Sequence, residues 1–99
     1  MARIVVSDPA RSDIRNILNY LANHGGHAIA ERYAADFEAV YDRLADFPDS
    51  GAPRPTLGHD VRSALVPPFV VIYGHSNNLV TVLRILHGKR NITRDLVAR

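Results

Sequence analysis

Residues 69–90 decide the fold, and they read FVVIYGHSNNLVTVLRILHGKR. Two runs rich in β-branched and aromatic side chains, 69–73 and 79–86, flank the polar tetrad 75–78 (His-Ser-Asn-Asn). This pattern predicts a β-hairpin whose turn is the tetrad. Because both runs are apolar on both faces, we expect the hairpin to lie in the middle of a sheet rather than at its edge. The basic segment 87–90 (His-Gly-Lys-Arg) follows at once and places positive charge at the end of the last strand.

Two amphipathic helices are predicted before the hairpin. The first begins after residues 7–9 (Ser-Asp-Pro), because a capping serine followed by proline at an initial helical position is typical of a helix start. It ends at two glycines, 25 and 26, which suit a helix terminus. The second helix is expected from about residue 27 to residue 47, and Pro48 ends it. Its predicted buried side consists of Ile29, Tyr33, Phe37, Val40, Tyr41 and Leu44.

The remaining elements complete an α+β fold. Residues 4–6 form a short first strand, 49–60 are expected to be a loop without a regular element, and 61–66 form a strand that a proline pair turns into the hairpin. A short helical tail follows Asn91. The order β-α-α-β-β-β predicts a helical hairpin packed on one face of a small, mostly antiparallel, twisted sheet, as one domain over residues 1–99. The pattern leaves open how the first strand pairs.

Composition bounds the class of protein. The 99 residues suffice for one domain and contain no cysteine, which excludes a disulfide framework and thiolate chemistry. No apolar run approaches the roughly 20 residues that span a bilayer, and the apolar N-terminal stretch is too short for a signal peptide. A cytoplasmic protein without a membrane partner is therefore expected. No metal or other cofactor is expected. His24 and His27 have a metal-like spacing, but two glycines lie between them and no cysteine or carboxylate lies nearby, whereas structural zinc needs four ligands.

Charge is distributed unevenly along the chain, although the net charge is only +2. Residues 1–50 carry five basic and eight acidic groups, whereas residues 51–99 carry seven basic and two acidic groups. Eleven of the twelve basic residues are arginine, which suits forked contacts with carboxylate or phosphate. The C-terminal half can therefore present a positive patch to an acidic or nucleic-acid partner.

Short motifs along nearly the whole chain carry a family resemblance. They are residues 7–10 (Ser-Asp-Pro-Ala) with Asp13-Ile14 and the turn 17–20, Phe47-Pro48-x-x-Gly51, Arg62, Ile72-Tyr73, and the segment 82–90 (Val-Leu-Arg-Ile-Leu-His-Gly-Lys-Arg). In this order and spacing they resemble the ParE branch of the ParE/RelE superfamily. Its members are the toxic halves of bacterial toxin–antitoxin pairs, also known as plasmid stabilisation systems. The family fold has the element order predicted above.

The resemblance implies a function. ParE-type toxins poison DNA gyrase by binding it and are neutralised by a ParD-type antitoxin of the ribbon-helix-helix class, so this chain is expected to form a hetero-oligomer with such an antitoxin. Contact with DNA is then only indirect, through gyrase or the antitoxin. Two alternatives stay open: a RelE-type, ribosome-dependent mRNA endonuclease, and a module that binds antitoxin without being toxic.

The residues favour a binding toxin over an enzyme. RNA cleavage needs a general base, a general acid and a cationic clamp on the phosphate close together. Val70 stands where RelE-type nucleases carry an arginine, and Leu96 stands where many of them carry a tyrosine. If the chain is a nuclease, the catalytic candidates that remain are Arg62, Arg84 and His87. This set looks incomplete.

The candidate target-binding residues are Arg84, His87, Lys89, Arg90 and Arg94. Each has a structural alternative. Arg84 lies mid-strand, where its side chain can either reach a binding surface or form an ion pair within the domain. His87 can be a strand-end histidine bonded to a neighbouring loop, and the basic residues after it can be a solvated tail. Arg62 can add to the surface or form a cross-strand ion pair.

The tyrosines of the predicted helices follow helical spacing. Tyr20, Tyr33 and Tyr41, with Phe37, are interpreted as core or hairpin packing rather than as a platform on which nucleic-acid bases stack.

Overall fold

A computed structural model describes residues 1–97 and places five strands in one sheet. Strands β1 to β5 span Arg3–Val6, Ala52–Pro53, Val61–Val66, Phe69–Ser76 and Leu79–His87, and helices α1 to α3 span Asp8–Gly25, His27–Asp46 and Arg94–Val97. The strand order is β1-β5-β4-β3-β2, so the β4–β5 hairpin is central, as predicted. β1 pairs with β5 in parallel, and the other pairs are antiparallel. The predicted α+β arrangement is confirmed.

Ser7 joins the first helix to the centre of the sheet. Its hydroxyl accepts a hydrogen bond from the Ala10 amide (3.3 Å) and donates one to the Leu83 carbonyl (3.0 Å), while its own amide donates to the Val82 carbonyl (3.0 Å). The predicted cap at the start of α1 is confirmed. The same residue also continues the pairing of β1 with β5 by one hydrogen bond, which fixes where the helix leaves the sheet.

Two apolar layers cover the two faces of the sheet. The larger one packs α1 and α2 on one face, around Phe37, Leu44 and Tyr73. The smaller one covers the opposite face with Leu57 from the loop before β3 and with Val97 from the C-terminal tail.

The second helix begins at His27, as predicted, but differs from its prediction in two details. It ends at Asp46, one residue early, and Phe47 is 65% exposed. Ile29 was predicted to be buried and is 39% exposed. It does not belong to the buried cluster under the helices, because it lies beside Gly25 at the turn between α1 and α2.

The turn of the central hairpin is shorter than predicted. Only Asn77 and Asn78 form it, with φ angles of 51° and 61°, and residues 75 and 76 continue β4 opposite Val80 and Leu79. Asparagine tolerates this left-handed conformation better than most residues, so two of them suffice to reverse the chain. The tetrad is therefore half strand and half turn.

The segment 49–60 was wrongly predicted to contain no regular element. Residues 52 and 53 form β2 and pair with Ser63 and Arg62 on β3. The proline in β2 is tolerated because β2 is the edge strand, where a missing N–H leaves no neighbouring carbonyl unpaired.

A β-bulge on β5 was not foreseen. Tyr73 lies opposite Val82 while Ile72 lies opposite Arg84, so Leu83 is an extra residue on β5. Val82 and Ile85 consequently face the same helical layer although they are three residues apart, and Leu83 faces the tail. Without the bulge the strand would turn one of these apolar side chains to the wrong layer.

Beyond the end of β1, the side chain of Asp13 in α1 accepts hydrogen bonds from the edge of β5. Its Oδ2 accepts from the backbone amide of Ile85 (3.0 Å) and from Nε of Arg84 (2.7 Å), and its Oδ1 accepts from NH2 of Arg84 (2.9 Å). A further guanidinium N–H donates to the Leu96 carbonyl in α3 (3.0 Å). The hydrogen bonds that Arg84 donates to Asp13 raise the pKa of the guanidinium. One ion pair therefore connects α1, β5 and the C-terminal tail.

We predict that Asp13→Ala lowers the free energy of unfolding by about 2–4 kcal/mol, since breaking a buried pair costs about 3–5 kcal/mol and this pair is partly exposed. Urea unfolding of Asp13→Ala, Arg84→Ala and the double variant measures the effect. The double variant should be about 1–3 kcal/mol more stable than the sum of the single effects implies. Additive effects would contradict the ion pair.

Tyr73 holds the segment that follows α2 against the sheet. Its hydroxyl donates to the Pro48 carbonyl (2.8 Å) and accepts from the Gly51 amide (2.9 Å), and burial raises the pKa of the phenol. A Cβ on Gly51 would lie 2.5 Å from the Tyr73 hydroxyl and 2.6 Å from the Ser63 carbonyl oxygen. This position therefore excludes any side chain.

Gly51→Ala should destabilise the protein by about 1–3 kcal/mol, because the methyl group forces Tyr73 or the backbone to move. Gly25→Ala is the matched control: at the end of α1 its Cβ meets Ile29 at an ordinary 3.4 Å. We expect this control to be neutral or up to about 1 kcal/mol more stable, from helix propensity. Thermal or urea unfolding compares the two, and equal effects would contradict the packing at Gly51.

Candidate functional site

The side chain of Arg62 is hydrogen-bonded to the loop that follows α2. From β3, its NH1 donates to the carbonyls of Asp49 and Gly51, both at 2.9 Å, and its Nε lies 3.6 Å from Oδ1 of Asp49. His75 approaches the same carboxylate oxygen at 2.8 Å. The His75 hydrogen bond, together with the charge of Arg62, lowers the pKa of Asp49. Arg62 therefore has an ion-pair partner, in the loop rather than on a neighbouring strand.

The side chain of Arg84 also makes its contacts within the domain. Of the two alternatives that its sequence position allowed, the structure has the ion pair, with Asp13. The side chains of Arg84 and Asp13 are only 19% and 14% exposed. Its role in target binding stays a prediction, and what the structure shows is that the guanidinium fixes the strand that precedes the basic segment.

His87 stands at the end of β5 and is exposed. Its Nδ1 accepts a hydrogen bond from the Lys89 amide (3.1 Å), so the neutral ring carries its proton on Nε2. The ring packs edge-to-face on Phe69, with centroids 5.9 Å apart. The hydrogen bond to the following turn, foreseen as the structural alternative, is therefore present.

Residues 87–90 form a turn that is tied to its neighbours through the backbone. The Gly88 amide donates to the Pro68 carbonyl (2.8 Å), and the Arg90 amide donates to the His87 carbonyl (3.0 Å). The side chains of Lys89 and Arg90, and of Arg94 on α3, are exposed and form no salt bridge within residues 1–97. Residues 87–90 are called the basic turn. Hydrogen bonds fix the backbone of this turn, and its charged side chains are exposed.

An open apolar cleft of about 480 Å³ lies beside the basic turn. Its lining comes from α1 (Asn16, Ile17, Tyr20 and Leu21), from α2 (Tyr33), from the β3–β4 turn (Pro68) and from the sheet (Phe69 and His87). Tyr33 packs edge-to-face on Phe69 at 5.8 Å, and none of the lining residues is acidic. His87 is both a wall of this cleft and the first residue of the basic turn.

Sequence reasoning did not find the cleft. Tyr20 was assigned to packing, but it is 61% exposed and stacks on His24 at a centroid distance of 4.1 Å. The available signal was its position at the border of the apolar stripe of α1, close to the glycines that end the helix. The cleft itself depends on where the β3–β4 turn lies, which no local pattern reveals.

The three nuclease candidates do not meet at one site. Arg62 lies opposite Tyr73, which faces the helices, whereas Arg84 lies opposite Ile72, which faces the tail. Directly paired residues share a face, so these two arginines project from opposite faces of the sheet. His87 is three residues beyond Arg84 on β5, about 10 Å along the strand.

Within residues 1–97, no group of three or more histidine, cysteine, aspartate or glutamate side chains is placed to hold a metal ion. No helix in the same part of the chain is long and apolar enough to span a membrane.

Comparison with known proteins adds independent information. Residues 4–92 match the model of a family described as the ParE toxin of the type II toxin–antitoxin system parDE. The chain is 29% identical over 96 residues to Toxin ParE3 of Caulobacter vibrioides, covering 97% of this chain and 96% of the relative. It is 30% identical over 90 residues to Toxin RelE2 of the same species, covering 91% of this chain and 99% of the relative.

A solved structure has the same fold. It is titled the chromosomal ParDE TA system from P. aeruginosa. The superposition covers 88% of this chain and 96% of the solved chain, with a TM-score of 0.74 and 22% sequence identity. The fold implied by the sequence motifs is thereby confirmed. The match of the family model across most of the chain shows that this protein belongs to the ParE toxin family of type II toxin–antitoxin systems, within the ParE/RelE superfamily.

Proposed function

We propose that this toxin acts by binding DNA gyrase, that it catalyses no reaction of its own, and that a ParD-type antitoxin neutralises it in the bacterial cytoplasm. The observation that carries the proposal is the separation of Arg62, Arg84 and His87. Both arginines are engaged by carboxylates or carbonyls of the domain, and the histidine is bonded to the next turn. Cleavage of a phosphodiester requires proton-transfer groups and a cationic clamp around one phosphate.

The basic turn supports a binding mechanism. Lys89 and Arg90 present positive charge on a backbone that two hydrogen bonds hold in place. Such fixed, exposed charges steer an acidic partner and contribute modestly to affinity. On this proposal DNA is contacted only through gyrase or the antitoxin.

The antitoxin part of the proposal is supported by the relatives. The solved structure with this fold is titled a ParDE system, and the family description names parDE. A ParD-type ribbon-helix-helix protein would fold part of its chain onto exposed apolar surface of the toxin, as coupled folding and binding commonly do.

Ribosome-dependent mRNA cleavage is the second candidate function, because a relative of 30% identity is named Toxin RelE2. The two are separated by assaying the purified toxin on both substrates. Gyrase supercoiling should be inhibited with accumulation of cleaved DNA, and mRNA in the ribosomal A site should stay intact. Cleaved transcripts with unaffected gyrase would overturn the proposal, and no effect in either assay or on growth would indicate a non-toxic antitoxin-binding module.

Lys89→Ala combined with Arg90→Ala should weaken growth inhibition about tenfold, since exposed charges contribute up to about 1 kcal/mol each. Affinity for the antitoxin should change less than about threefold, or about 0.7 kcal/mol. Induction of the toxin in cells without antitoxin measures the first effect, and calorimetry measures the second. Full toxicity of the folded double variant would remove the basic turn from the target surface.

The matched control for this experiment is Arg3→Ala combined with Arg32→Ala. Both arginines are exposed, on β1 and α2, and both lie outside the basic turn and the lining of the cleft. The control removes the same net charge. Equal loss of toxicity in the control would show an effect of overall charge rather than of the basic turn.

A further inference from the structure

We infer that the apolar cleft and the basic turn form one docking surface, which binds a segment of the toxin's protein target in which a bulky apolar side chain is flanked by acidic residues. The inference rests on the proposed function. His87 belongs to both parts, and its ring is fixed by Phe69 at 5.9 Å. The Gly88–Pro68 hydrogen bond of 2.8 Å fixes the turn against the other wall of the cleft.

The cleft suits an apolar anchor. Its lining is mostly aliphatic and aromatic, and the exposed ring of Tyr20 forms part of it. Protein interfaces draw most of their binding energy from a few bulky side chains that fill such pockets and are surrounded by a rim that excludes water. The polar groups that can orient an occupant are Asn16, His87 and the hydroxyls of the two lining tyrosines.

Charge complementarity defines the flanks of the occupant. Lys89 and Arg90 follow directly on His87, and neither the cleft lining nor residues 87–90 include an acidic side chain. Acidic residues beside the anchor would therefore be complementary to the charge of the adjoining basic turn. Complementary charge at a rim raises the rate of association and rejects partners of the wrong sign.

The geometry favours a protein over nucleic acid. A platform for stacked bases needs several free ring faces, but one face of Tyr20 is covered by His24 at 4.1 Å and Phe69 is only 9% exposed. A second copy of this chain is also disfavoured. A twofold contact would place the same surface on both sides, so that the basic turns of the two copies would repel each other.

The test uses Asn16→Trp, which fills the cleft from an exposed position, and Tyr20→Ser, which removes one wall. Each should raise the toxin dose needed for growth arrest at least tenfold, while affinity for the antitoxin changes less than threefold. Phe47→Ser is the matched control, because this ring is exposed to a similar extent (65%) and lies outside the cleft. It should keep full toxicity.

Other occupants give different results, and each overturns the inference. Full toxicity of a folded Asn16→Trp variant shows that the target does not use the cleft. Loss of antitoxin affinity with toxicity retained assigns the cleft to the antitoxin. A wild-type dimer that Tyr20→Ser dissociates assigns it to a second copy, and binding of a labelled single-stranded oligonucleotide that Asn16→Trp abolishes assigns it to nucleic acid.

Failure of the proposed function is distinguishable. If the wild type arrests growth without inhibiting purified gyrase, the gyrase proposal fails, while the loss of growth arrest in the cleft variants still supports the docking surface. If gyrase is inhibited equally by the wild type and by Asn16→Trp, the proposed function stands and the docking surface fails. A wild type without any effect on growth overturns both.

Discussion

The fork between Asp13 and Arg84 is the contact on which the rest of the structure depends. β1 is too short to cover the whole of β5, so the edge of β5 would be left with an unpaired amide at Ile85. Asp13 supplies the missing acceptor and at the same time neutralises Arg84, whose charge would be costly at a partly buried position without a partner. Through the Leu96 carbonyl the pair also holds the tail that covers the second face of the sheet.

A second set of contacts fixes a loop at the other edge of the sheet. Tyr73 and Arg62 hold residues 48–51 through hydrogen bonds to their backbone, and Gly51 allows the close approach. The sequence motifs that carry the family resemblance are therefore largely fold-holding contacts. They identify the superfamily because they build its scaffold, and they do not by themselves distinguish a gyrase inhibitor from an mRNA nuclease.

What distinguishes the two functions is the chemistry that the scaffold leaves available. Two of the arginines that a nuclease could use are bound within the domain, and the histidine at the end of β5 is bonded to the turn. Of the candidate charges that stay exposed, those of Lys89 and Arg90 follow His87 at the apolar cleft, whereas Arg94 lines a separate pocket beside Leu57 and Val97. A surface of this kind is suited to recognition, in which shape and charge select a partner, more than to bond cleavage.

The sequence by itself determined both long helices, four of the five strands and the central place of the hairpin, because periodicity, caps and turn residues act over a few neighbouring positions. Only the tertiary structure decided the parallel pairing of β1, the bulge at Leu83, and the choice between an ion pair and an exposed charge at Arg84. Asp13 and Arg84 are 71 positions apart, and no local pattern records such a contact. The cleft likewise exists because α1, α2 and the β3–β4 turn meet in space, which is a consequence of packing rather than of any one segment.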